Sequence, residues 1–75
     1  MSLTKLDWYE CRVLFGEIRV SLSGTNDVLI YDIVADLESS LGRIYLDGKH
    51  YTYLGKYEVT TDGFETYLRL FVNEN

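Results

Sequence analysis

The chain has 75 residues, 47% of them hydrophobic and 15% aromatic, and its twelve acidic against seven basic side chains leave a net charge of −5. So short a chain buries about 60% of its unfolded surface, which excludes a second core and makes 1–75 one domain. A single cysteine excludes an intramolecular disulfide, and Cys11 with His50 falls short of a four-ligand zinc site. The free thiol, the lack of a leader pattern and the absence of any ~18-residue apolar run lead us to expect a cytoplasmic protein with no membrane contact.

Met1-Ser2-Leu3 reads as a loose end. Tyr9, Cys11, Val13 and Phe15 then alternate with Glu10, Arg12 and Leu14, the period of a strand. After Gly16 the apolar set becomes Ile18, Val20 and Leu22. An alternation that slips by one residue at a glycine marks a bulge or a tight turn, and the pattern favours the bulge. A helix over 4–15 competes, with Thr4 and Asp7 resembling a capping box and Gly16 as terminator, but its apolar residues would surround the cylinder.

Residues 23–27 are a loop by composition. Val28–Tyr31 is a continuous apolar run suited to a buried strand, which we extend to about Ala35. Against this, Asp32 could cap a short helix around 32–41 with Ile33, Val34, Leu37 and Leu41 on its face and Gly42 as a left-handed stop. The adjacent β-branched residues Ile33 and Val34 weaken the helical reading.

Asp47-Gly48 and Asp62-Gly63 each stand between alternating runs and suit two-residue type I′ turns. The first places Ile44, Leu46, Lys49, Tyr51 and Tyr53 on a core face, with Arg43, Tyr45, His50, Thr52 and Leu54 opposite. The second sets Thr61 across from Phe64, Val59 from Thr66 and Tyr57 from Leu68. Its core face is then Tyr57, Val59, Phe64, Leu68 and Leu70, and its other face Lys56, Glu58, Thr60, Glu65, Tyr67, Arg69 and Phe71. Gly55 allows 50–61 to be one bent strand or a tight meander, and the polar residues 73–75 are expected to fray. The fold expected is mainly β: a small twisted antiparallel sheet of five to six strands, barrel or half-barrel, with at most one short helix around 32–41.

No motif surrounds Cys11 or His50, so nucleophilic catalysis lacks its parts. If 28–36 is a strand, Asp32 and Asp36 lie about 13 Å apart, too far for paired acid–base work. Calcium-loop and phosphate-loop spacings are absent. We therefore expect no enzyme, no cofactor, no metal ligand and no catalytic residue. Lys5, Arg12, Arg19, Arg43, Lys49, Lys56 and Arg69 are scattered singly along the chain, which argues against nucleic acid as a partner. The expectation is a small acidic protein-binding module, an inhibitor or adaptor that covers a surface on a larger macromolecule, as phage and mobile-element accessory proteins often do. A homodimer is also expected. The contact candidates are Arg43, Tyr45, His50, Glu58, Tyr67, Arg69 and Phe71, since interfaces favour aromatic and arginine anchors. Two alternatives stand: a structural subunit of a homo-oligomer, and a single-stranded nucleic-acid binder stacking bases on Tyr45, His50 and Tyr67.

Overall fold

A computed structural model of the protein describes residue 6 and residues 9–22 and 27–75. The elements are β1 (Cys11–Leu14), β2 (Glu17–Leu22), α1 (Asp27–Ser39), β3 (Arg43–Leu46), β4 (Lys49–Thr61) and β5 (Thr66–Glu74). All five strands form one antiparallel sheet in the order β1-β2-β5-β4-β3, strongly curled into a half-barrel. Ile30, Ile33 and Leu37 of α1 join Ile18, Val20, Ile44, Leu68 and Leu70 in one buried cluster, so the helix covers one face of the sheet and leaves the other open.

The helix replaces the strand expected over 28–35. Ile30, Ile33 and Leu37 follow helical spacing and are buried, while Val28 and Tyr31 from the same apolar run point to solvent. A short apolar run does not itself distinguish helix from strand, and burial of the helical stripe outweighs the few tenths of a kcal/mol that each β-branched residue loses. The stop is the one anticipated at Gly42. The Gly42 N–H donates to the Leu37 carbonyl at 2.8 Å and that of Leu41 to the Glu38 carbonyl at 3.1 Å, with both residues at positive φ.

β1 and β2 are joined by a tight turn at Phe15-Gly16, not a bulge, with Leu14 opposite Glu17 and Val13 opposite Ile18. A two-residue loop pairs odd with even positions, and this pairing produces the observed phase slip. The competing helix over 4–15 is excluded at 11–14, which is strand. Thr4 and Asp7 lie outside the described residues, as do Met1-Ser2-Leu3 and residues 23–26 of the expected loop, whose last residue, Asp27, opens α1.

The first C-terminal hairpin has the expected register, Leu46 opposite Lys49 and Ile44 opposite Tyr51, with Asp47 and Gly48 at φ of 51° and 78°. In the second, Thr61 pairs with Thr66, Val59 with Leu68 and Tyr57 with Leu70, so the loop has four residues instead of two. The Asp62 carboxylate accepts the N–H groups of Phe64 and Glu65, both at 2.9 Å, and this local turn displaces the type I′ geometry. Those bonds hold the Asp62 carboxyl below the usual range. A shift of two residues preserves every side chain's face. It does not preserve burial: Phe64, expected in the core, is 99% exposed at the loop tip. Tyr57 and Val59 point to the helix face but lie open to solvent. β4 is one bent strand, irregular between Tyr53 and Tyr57 with Gly55 at φ 82°. Residues 73–75, read as a fraying end, are bonded alongside β4: the Asn75 N–H donates to the His50 carbonyl at 2.9 Å and the Thr52 hydroxyl to Asn75 Oδ1 at 3.0 Å.

Candidate protein-binding face

The open face is built by the residues that alternate with the core. On β2, burial of Ile18, Val20 and Leu22 turns Glu17, Arg19 and Ser21 outward, and on β5 burial of Leu68, Leu70 and Val72 does the same for Tyr67, Arg69 and Phe71. Cross-strand register then makes one row of Arg12, Arg19, Arg69 and Glu58. Three guanidinium groups side by side would repel. Glu17 offsets this: its carboxylate accepts Arg69 Nε at 2.8 Å and Arg19 Nε at 3.1 Å, while Arg69 Nη1 reaches Glu58 at 3.1 Å.

The Arg69 hydrogen bond is the main reason that the Glu17 carboxyl lies below the ordinary glutamate range, with Arg19 adding to it against the opposing effect of burial. The Glu17 side chain is 14% exposed and those of Arg69 and Arg19 are 27% and 32%, so the bridge is partly shielded from water. Rings complete the cluster. The Arg19 guanidinium lies 4.8 Å from the Tyr67 ring centre, and Phe71 is flanked by Arg69 at 5.1 Å and the Lys56 ammonium at 5.2 Å.

All seven candidates, Arg43, Tyr45, His50, Glu58, Tyr67, Arg69 and Phe71, fall on this face, in two groups. Glu58, Tyr67, Arg69 and Phe71 form the central cluster. Arg43, Tyr45 and His50 sit on the β3–β4 hairpin, where Tyr45 and His50 hold their ring centres 4.7 Å apart. His50 is level with Asn75 and thus six residues along β5 from Arg69, about 20 Å at strand rise. Tyr67 is not displayed as expected. It is 9% exposed, closed over by Arg19, and belongs to the framework of the face.

Sequence reasoning missed Glu17, Arg19 and Lys56, and it read the cations as scattered. The core phase of Ile18, Val20 and Leu22 already sends Glu17 and Arg19 to the opposite face. What brings them to Arg69 is the β2–β5 pairing, which spans 52 residues of chain and carries no turn signal.

Among the described residues, no three His, Cys, Asp or Glu side chains converge to hold a metal ion, and every buried polar side-chain atom has a hydrogen-bond partner. Cys11 is half-buried and donates its S–H to the Leu6 carbonyl at 3.4 Å. Among the described residues, no helix is long and apolar enough to cross a membrane. Compared with family models, curated proteins and solved structures, the chain has no match in sequence or in fold.

Proposed function

We propose that the protein is a small binding module, an inhibitor or adaptor, that covers a surface of a larger protein with the open face of its sheet. One observation carries this reading: Glu17 and Glu58 hold Arg69 in place beside Phe71, and Lys56 flanks the same ring. Arginine and aromatic side chains fixed before contact lose little conformational freedom on binding, which is the economy of an interface hot spot.

Affinity capture from the source cell, with wild-type protein and Arg43→Ser/Phe71→Ser as baits, tests it. Arg43 is exposed and Phe71 half-buried, so the double variant should remain folded by circular dichroism while losing the partners that the wild type retains. Retention of the same partners by the folded variant would refute the assignment.

A second reading rests on the row of Arg12, Arg19 and Arg69 beside Phe71, which suits the backbone and bases of single-stranded nucleic acid. Glu58 ends that row and Glu17 lies beside it, opposite Phe71, and both offset its charge. Fluorescence titration of labelled oligonucleotides separates the two, because nucleic-acid binding must weaken steeply with salt. No binding at low salt removes this second reading.

A further inference from the structure

The helix side of the sheet ends in a surface of different chemistry. β3 pairs with β4 only over Lys49–Thr52, after which the Tyr53 N–H donates once more, to the Gly42 carbonyl at 2.7 Å. From there to Thr61, β4 has β5 on one side and, among the described residues, no strand on the other. An unpaired edge presents a row of backbone donors and acceptors that can take an added strand. Tyr57-Glu58-Val59-Thr60-Thr61 is rich in β-formers and has no proline.

Beside this edge runs a cleft, walled by Tyr31, Val34 and Glu38 of α1 and by Tyr53, Gly55 and Tyr57 of β4. Its aromatic and aliphatic rim is unusually open: Tyr31 is 76% exposed, Leu41 74% and Tyr57 43%. The cleft has one sign of charge. Asp27 and Glu38 border it, no Lys or Arg lines it, and neither carboxylate is ion-paired among the described residues. Burial, then the neighbouring Tyr57 and Glu38, push the Tyr53 phenol up.

A second copy fits poorly. The two-fold axis that pairs two antiparallel β4 edges stands perpendicular to the joined sheet, so both helices lie on the same side. Asp27 and Glu38 of one copy would then face those of the other, with −5 on each chain. A basic partner meets no such barrier. Asp27 and Glu38 are eleven residues apart on α1, about 16 Å, and residues four to six apart on one face of an extended strand span about 13 to 20 Å.

We propose that the free edge of β4 between Tyr57 and Thr61 takes a sixth strand from a partner protein, an extended segment whose alternate apolar side chains enter the cleft and whose flanking Lys or Arg residues, four to six apart, meet Asp27 and Glu38. The site is separate from the open face, and together the two surfaces make the protein an adaptor with one acidic and one mixed-charge contact.

The test is selection of displayed random linear peptides on the full chain, followed by titration of the enriched peptides after synthesis. Alternating apolar peptides flanked by Lys or Arg should be enriched. Their affinity should fall about tenfold or more against Asp27→Lys/Glu38→Lys, both exposed helix positions, and stay unchanged against Arg43→Ser/Phe71→Ser. N-methylation of alternate peptide nitrogens should abolish binding in one phase and be tolerated in the other, because only one set faces β4. Peptides indifferent to the charge reversal, or tolerant of both methylation phases, overturn the proposal. So does a dimer in sedimentation equilibrium that Tyr57→Lys dissolves, which would put a second copy on the edge. A library that yields no binder also overturns it, while capture through the open face is judged separately by its own variant.

Discussion

The two halves of β4 share one strand and one alternating pattern, yet they lead different lives. Residues 51–52 lie between β3 and β5, and Tyr51 there is 4% exposed. Among the described residues, 57–61 have β5 alone as a neighbouring strand, and Tyr57 on the same face is 43% exposed. Periodicity decides which face a side chain takes, and the neighbouring elements decide whether that face is dry. The first half thus serves the core and the second is available to something else.

The largest effect expected from this contrast comes from its buried member. Tyr51→Ala should remove about 3 to 5 kcal/mol from the free energy of denaturant unfolding, as truncation of a large core ring does. Tyr57→Ala should remove less than about 1 kcal/mol. Similar losses for the two would erase the distinction.

Gly42→Ala comes next, because Gly42 ties the end of α1 to the first half of β4. At φ 75° an alanine is strained, and its Cβ would stand 3.2 Å from the Tyr53 carbonyl oxygen, so a loss of about 1 to 2 kcal/mol is expected in the same measurement.

The smallest effect lies on the open face and depends on pH. The folded-state pKa of Glu17 is depressed, chiefly by Arg69, so its contribution to stability is complete above the unfolded value of about 4.3 and is lost as pH falls through the folded value. Thermal melts of wild type and Glu17→Gln from neutral to acid pH should therefore differ at neutrality and converge as pH falls beneath the unfolded value and through the lower folded one. Asp62, also depressed, is present in both proteins and cancels in the difference. A gap that persists at low pH would mean that Glu17 acts by packing and not by charge.

Much of the sheet was legible because turn chemistry is local. Asp47-Gly48 set its hairpin to the residue, and even where Asp62 bonded to Phe64 and Glu65 to open the next loop by two residues, parity kept Leu68 and Leu70 in the core. What was not legible depends on contacts distant in sequence. Val28–Tyr31 reads equally well as strand or helix until the curled sheet offers Ile30, Ile33 and Leu37 a surface to cover. Placing the candidates on one face needed only their phase, whereas finding Glu17 between Arg19 and Arg69, and Tyr67 beneath Arg19, needed the β2–β5 register.

Amide hydrogen exchange along β4, resolved by residue, tests the difference between its halves most directly. Amides of 50–53 whose N–H groups face either neighbour should exchange only on global unfolding, while over 57–61 protection should alternate, high toward β5 and low toward the free edge. Uniform protection through Thr61 in the monomeric protein would contradict the open edge and the strand-binding site built on it.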